Sequence, residues 1–463
     1  MKIAKRTPFS GRPILTMPTV LGASPNKPFF YRIPVIGERP ITLSVEGLPE
    51  GLSFDGTVIR GQVRFSGCTN VTVTAQNALG KAVRTVRFEI FPGNIQRTPL
   101  MGFTTWNAFD YRVTESDVLR TAEELDRLGL ADYGYQYVNL DSSWQGEYGG
   151  SCDAIQPCER FPDMAGMIGK IHARGLRFGI YSSPFLKPWG CPKDRESLPG
   201  CTVGDPDPAF PSQNGGIGLI RKEENNVRQW SEWGIDYLKY DWMPTDPING
   251  QIMREALNRS SRDIAFCVTV AVSPNDGDFW RMTANSFRGH TDSTGNWKNV
   301  KEIANSYLPW QKYAGHGHYY DLDMLAIGKM NLFECTLTED EMIFDYTLRA
   351  MLGSPIQLSC DLTAATDFEL DLYMNDEVIA INQDGALEPA ILKESDGDWR
   401  IYEKALEDGG RALCVFNGTD EERAVSLPIG GKAVRDVWLK EDLGVLETAD
   451  RVLAPHSVWF LRV

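Results

Sequence analysis

Along the first 95 or so residues, apolar and polar positions alternate in short runs. Ile41-Thr42-Leu43-Ser44-Val45 and Val71-Thr72-Val73-Thr74-Ala75 are typical, and Gly, Pro and Asn punctuate the gaps between them. A period of two between turn residues predicts strands with one buried face. No stretch here repeats apolar residues at helical spacing, so residues 1–95 are expected to form a small β-sandwich.

From 96 to 387 the pattern alternates between short apolar runs and amphipathic helices. Thr114 with Asp117 fits a capping box, after which Val118, Ala122 and Leu125 recur on one helical face. The strand candidates are Gly102–Trp106, Tyr137–Asp141, Arg177–Ser182, Tyr237–Asp241, Ile264–Thr269, Ser286–Asp292, Tyr320–Leu325 and Pro355–Cys360. Eight strands with intervening helices predict an α/β fold, a (β/α)₈ TIM barrel. A doubly wound sheet shares the alternation, but no Gly-rich dinucleotide fingerprint follows the first strand. From 388 to 463 short strands return, as in Ala412-Leu413-Cys414-Val415-Phe416, with turns such as Asn417-Gly418. A C-terminal antiparallel β-sandwich is expected there, so the barrel is flanked by an N-terminal and a C-terminal β-sandwich.

Composition narrows the function classes. The chain has 463 residues, with 42% hydrophobic and 24% charged, ordinary values for a globular protein. A net charge of -15 argues against nucleic acid or anionic lipid as partner. No apolar h-region follows the N-terminal Lys and Arg residues, and no apolar run of about 18 residues occurs, so neither a leader nor a membrane span is expected. On that reading the protein is cytoplasmic, or a secreted protein whose leader has been removed. Of 9 Cys, Cys267 and Cys360 lie in apolar strand-like runs and read as buried thiols. Cys152, Cys158, Cys191 and Cys201 lie in loop-like sequence, where free thiols, two disulfides or a zinc site are all open.

The chemistry gathers where the strands end. Barrel enzymes carry their catalytic groups at the C-terminal ends of strands. Here the second strand ends in Asp141, the fourth carries Lys239 and ends in Asp241, the sixth carries Arg288 and ends near Asp292, and the loop after the seventh brings Asp321 and Asp323. A single Asp at a strand end is often only a helix N-cap. Spread over four strands, the set supplies the two carboxylates that glycoside hydrolysis needs. Lys239 is expected to hold Asp241 ionised through opposite charge. His316 and His318 fall near Asp321 in sequence and read as surface-loop residues.

These motifs resemble the α-galactosidases and α-N-acetylgalactosaminidases of glycoside hydrolase family 27, from about residue 98 to 384. Pro99-Leu100-Met101-Gly102-Phe103 with Trp106-Asn107-Ala108-Phe109, Tyr137-Val138-Asn139-Leu140-Asp141 and Leu176-Arg177-Phe178-Gly179-Ile180-Tyr181-Ser182 resemble the first three strands. Trp233-Gly234-Ile235-Asp236-Tyr237-Leu238-Lys239-Tyr240-Asp241 resembles the nucleophile strand, and Arg288 four residues before Asp292 the acid/base strand. Asp321-Leu322-Asp323-Met324-Leu325 and Val378-Ile379-Ala380-Ile381-Asn382-Gln383-Asp384 are also similar to family signatures. The N-terminal Leu48–Gly61 stretch resembles immunoglobulin-like modules attached to bacterial glycosidases. The resemblance implies a retaining exo-glycosidase for terminal α-D-galactosyl residues, with Asp241 as nucleophile and Asp292 as acid/base. It implies that Trp106, Asp141, Ser142, Lys239, Arg288 and Asp321 contact the sugar. No metal or organic cofactor is implied, and the partner is an oligosaccharide or glycoconjugate substrate rather than nucleic acid or membrane.

The departures fall in the sugar pocket. Ser142 stands where the family has a second Asp, and Phe266-Cys267-Val268-Thr269-Val270-Ala271 lacks the family's Glu on the fifth strand. A family disulfide would need a partner for Cys191 where this chain has Trp242 or Met243, so it should be missing, with Met243 as packing. His290 replaces a small residue between Arg288 and Asp292. An α-N-acetylgalactosaminidase, a β-L-arabinopyranosidase and a catalytically silent sugar-binding protein are therefore the competing expectations.

Overall fold

The computed structural model describes residues 1–7, 9–190, 198–210, 214–270 and 272–463. Its centre is a parallel sheet of eight strands: β1 (Met101–Thr104), β2 (Tyr137–Leu140), β3 (Arg177–Ser182), β4 (Tyr237–Asp241), β5 (Ala265–Thr269), β6 (Ser286–Phe287), β7 (Tyr319–Tyr320) and β8 (Ile356–Leu358). The strands neighbour one another in the order β7-β6-β5-β4-β3-β2-β1-β8. The sheet curls until a parallel bridge joins Leu325, after β7, to Leu358 in β8. This is a TIM-barrel-like arrangement. Its strands are buried on both faces, which is why they read as nearly continuous apolar runs. Gly102 is needed for close strand approach, since a Cβ there would stand 2.4 Å from the Tyr137 carbonyl oxygen.

The expected helix start is present. Thr114 and Asp117 form a reciprocal capping box for Glu115–Arg127, and Val118, Ala122 and Leu125 are buried. Two strands are shorter than the apolar pattern predicts. Past Phe287 the Arg288 amide still bonds the Val268 carbonyl at 2.9 Å, and the Arg288 carbonyl accepts from the Val272 amide at 3.3 Å. Beyond Phe287 and Tyr320 the polar side chains of Arg288, Asp321 and Asp323 find partners across the barrel instead of prolonging the strands.

The C-terminal region is one antiparallel sheet of six strands between Ile391 and Arg462. Its long strands Arg423–Asp436 and Glu441–Leu453 shift register near Pro428/Lys432 and Val434/Arg435. Such bulges bend a sheet. One face, with Tyr402, Cys414, Phe416 and Phe460, joins the barrel core. The other, with Ile401, Leu413, Val415 and Leu461, packs with Leu427, Ile429 and Leu453 into a core of its own. Period-two alternation thus serves two cores.

The N-terminal region holds a four-stranded and a three-stranded sheet around a common core that includes Val71, Val73, Val86 and Phe88. It docks where the barrel strands begin. Arg32 pairs with Asp126 at 2.6 Å and Asp132 at 3.0 Å, and its carbonyl accepts from Gln136, the residue before β2. Arg177, which opens β3, donates to the Phe30 carbonyl and to Tyr137 Oη. The Ser24 amide donates to Asp263, just before β5. No helix among the described residues is long and apolar enough to cross a membrane.

Candidate active site

At the opposite end of the barrel, where the strands finish, lies a cavity of about 370 Å³. That suits a small ligand. Its charged residues are Asp141 after β2, Lys239 and Asp241 on β4, and Arg288 and Asp292 after β6. Its walls are Trp106, Tyr181, Trp189, Met243 and Val270, with Ser142 and Thr291.

Asp241 is buried. Tyr181 Oη donates to its Oδ2 at 3.1 Å, while Oδ1 has no hydrogen-bond partner among the described residues. An anionic oxygen without a protein partner is available to an incoming electrophile. Burial pushes the Asp241 carboxyl up to about 7. Lys239 and Arg288 oppose that rise, and Asp292 and Asp141 add to it. Lys239 is thus a weaker ionising influence than its sequence position predicts. Its Nζ bonds Asp141 Oδ2 at 2.7 Å and lies over the Tyr181 ring, so its charge is shared. Against desolvation, the Asp141 carboxylate raises Lys239 above the ordinary lysine range.

Asp292 has the contrasting environment. Its side chain is 50% exposed at the mouth, against 8% for Asp241 as a residue. Arg288 lies beneath it, only 3% exposed, and reaches Asp292 Oδ1 at 3.0 Å, Asp323 Oδ1 at 2.6 Å and Thr269 Oγ1 at 2.6 Å. One carboxylate is deep and desolvated, and the other is wet and backed by a guanidinium. Burial favours the proton on Asp241, and Lys239 and Arg288 work against it, as a nucleophilic carboxylate there requires.

Of the residues predicted from sequence, Asp241, Asp292, Trp106, Asp141, Ser142, Lys239 and Arg288 all meet at this cavity. Asp321 does not. It lies below, where its Oδ1 accepts from the Asp323 amide at 2.8 Å and its Oδ2 faces Cys267 Sγ at 3.4 Å. Asp323 takes the position toward Arg288 because positive φ at this residue, +64°, turns the chain between the two acids. Met243 is not core packing but a cavity wall, 37% exposed. His316 faces Glu388 at 3.6 Å and His318 Nδ1 contacts the Ala284 carbonyl, so neither reaches the cavity.

Tyr181 and Trp189 were not legible as site residues from patterning. Tyr181 lies in an apolar strand like any core residue, although it pairs with Lys239 on β4 and follows the residue that pairs with Leu140 on β2. Trp189 comes from the loop after β3. It packs edge-on against Phe185, and its carbonyl accepts from Ser142 Oγ at 2.6 Å. The Ser142 hydroxyl thereby gives its hydrogen to the protein and keeps its oxygen as an acceptor. Cys152, Cys158 and Cys201 are free and buried, as are Cys267 and Cys360, and Cys191 lies outside the described residues. Among the described residues no group of His, Cys, Asp and Glu could hold a metal ion.

Residues 211–384 match the family described as alpha galactosidase A, and residues 396–463 match the alpha galactosidase C-terminal beta sandwich domain. An α-galactosidase A of Cellvibrio japonicus is 29% identical over 71% of this chain and 78% of its own. The structure of α-galactosidase I from Mortierella vinacea aligns at TM-score 0.69 and 26% identity, over 79% of this chain and 97% of that one. A "putative alpha-galactosidase/melibiase" structure from Bacteroides fragilis aligns at TM-score 0.87 and 27% identity over 98% of both chains, the N-terminal region included. The protein is a glycoside hydrolase. More narrowly, residues 211–384 of its barrel are similar to α-galactosidases, and residues 396–463 to their C-terminal sandwich domain.

Proposed function

We propose that the protein removes terminal α-D-galactosyl residues from oligosaccharides or glycoconjugates by double displacement. Asp241 Oδ1 attacks the anomeric carbon and Asp292 protonates the departing oxygen. Asp292 then takes a proton from water, which releases the sugar with its configuration retained. Asp141, Lys239 and Arg288 hold the sugar hydroxyls through charge-assisted hydrogen bonds, and Trp106 offers an apolar ring face. The observation that carries this reading is the buried carboxylate with one unpartnered oxygen, set in the same cavity as a half-exposed one. We read 1–95, 96–387 and 388–463 as three domains, the first an immunoglobulin-like sandwich.

Initial rates on p-nitrophenyl α-galactoside, α-N-acetylgalactosaminide and β-L-arabinopyranoside test the sugar, with NMR of the first-formed anomer testing the mechanism. Preference for the α-galactoside with α-galactose as first product is expected. A β-configured first product would sink the double displacement.

A further inference from the structure

Asp292 lies outside any strand or helix, on a segment whose course must be fixed by side chains. The strand ends at Phe287, and residues 288–296 precede the helix Trp297–Ser306. A half-exposed acid on such a segment would sample many positions unless the backbone on both sides were held. Proton transfer requires hydrogen-bond reach of the leaving oxygen.

One carboxylate holds both ends. Asp323 Oδ1 pairs with Arg288 at 2.6 Å, and Asp323 Oδ2 accepts from the Ser293 amide at 2.7 Å. Arg288 precedes Asp292 by four residues and Ser293 follows it directly. Between them, His290 Nε2 contacts the Asp321 carbonyl at 3.2 Å. Asp323 is itself fixed. Its amide donates to Asp321 Oδ1, and its carbonyl accepts from the buried Arg349. Against the cost of burial, Arg288, Lys239 and the Ser293 amide hold its carboxyl below the usual aspartate range.

We infer that Asp323 is a positioning residue for the acid/base. By clamping Arg288 and Ser293 it presents Asp292 to the leaving-group oxygen, from a place below the cavity beside Asp141, Lys239 and Arg288. This rests on the reading of Asp292 as the acid. The sugar–oxygen bond breaks as Asp241 attacks, and the proton from Asp292 moves to the departing oxygen. A misplaced Asp292 therefore slows departure of a basic alkoxide and spares a leaving group that needs no proton.

The test compares kcat/KM, which reads only through formation of the glycosyl-enzyme, on methyl and 2,4-dinitrophenyl α-galactoside. Asp323→Asn, Asp292→Asn and the double variant are measured in one cycle. Asp323→Asn should lose ~10- to 100-fold on the methyl glycoside and less than about 3-fold on the dinitrophenyl one, and should cost nothing further in the Asp292→Asn background. Equal loss on both substrates, or additive loss in the double variant, overturns the inference. If Asp292→Asn itself loses both alike, the acid/base reading falls and this inference falls with it. Should Asp323→Asn not fold, Asp323→Glu, which keeps the charge and displaces it by one methylene, is read in the same cycle with the same outcomes.

Discussion

At the scale of single residues, the energetics of the site turn on Asp241. Its carboxyl is raised from 3.8 to about 7 by burial, so between those values the folded protein retains a proton that the unfolded chain releases. Folding is therefore favoured by this group less and less as pH rises through the window, and is opposed by it in full above 7. Asp241→Asn removes the buried charge, and melting at pH 8 should show a gain on the order of 1–4 kcal/mol. The same variant should lose at least ~10³-fold in kcat, because the amide cannot form the glycosyl-enzyme. Rising stability with falling activity would mark Asp241 as a group held under strain for function. A variant that kept its activity would remove it from the mechanism. The ionised form attacks, so kcat/KM for the dinitrophenyl galactoside should fall as pH drops through about 7. A flat profile from pH 5 to 8 would contradict that assignment.

At the scale of elements, the loops decide what the strands can only anchor. The chain after β3 folds back so that Gly190, at φ +78°, lies against Trp106 and Ser142. A Cβ at Gly190 would stand 2.7 Å from the Trp106 ring and 2.9 Å from Ser142 Cβ. Gly190→Ala should displace the Trp189 wall and raise KM for the p-nitrophenyl galactoside by ~3- to 30-fold, with a smaller change in kcat. An unchanged KM would mean that this loop does not shape the sugar site. Ser142 ties this loop to the site: it lines the cavity, and its hydrogen is given to the Trp189 carbonyl 47 residues away, which leaves its oxygen as an acceptor.

At the scale of the whole molecule, the N-terminal region and the catalytic cavity occupy opposite ends of the barrel. Arg32, Gln136, Arg177 and Asp263 make the N-terminal contacts at strand beginnings, while Asp141, Asp241 and Arg288 work at strand ends. Arg32→Ala should thus lower the melting temperature, by an amount equivalent to ~1–3 kcal/mol, and leave kcat and KM at moderate temperature within about 2-fold. A large KM change with unaltered melting would instead connect the N-terminal region to substrate.

The sequence by itself determined the alternation that sets the barrel strands, the capped helix at Thr114, and the positions of Asp141, Lys239, Asp241 and Arg288 in or just after their strands. These follow from local rules: periodicity, capping chemistry and the inward turn of the residue that closes a parallel strand. Only the tertiary structure decided which charges pair, because Lys239 meets Asp141 and Arg288 meets Asp323 through contacts between strands far apart in the chain. It alone separated Asp321 from Asp323, two residues apart and alike in type, through a backbone turn that no pattern announces. It also set the contrast between a buried Asp241 and an exposed Asp292, since desolvation belongs to the packed surroundings and not to the residue.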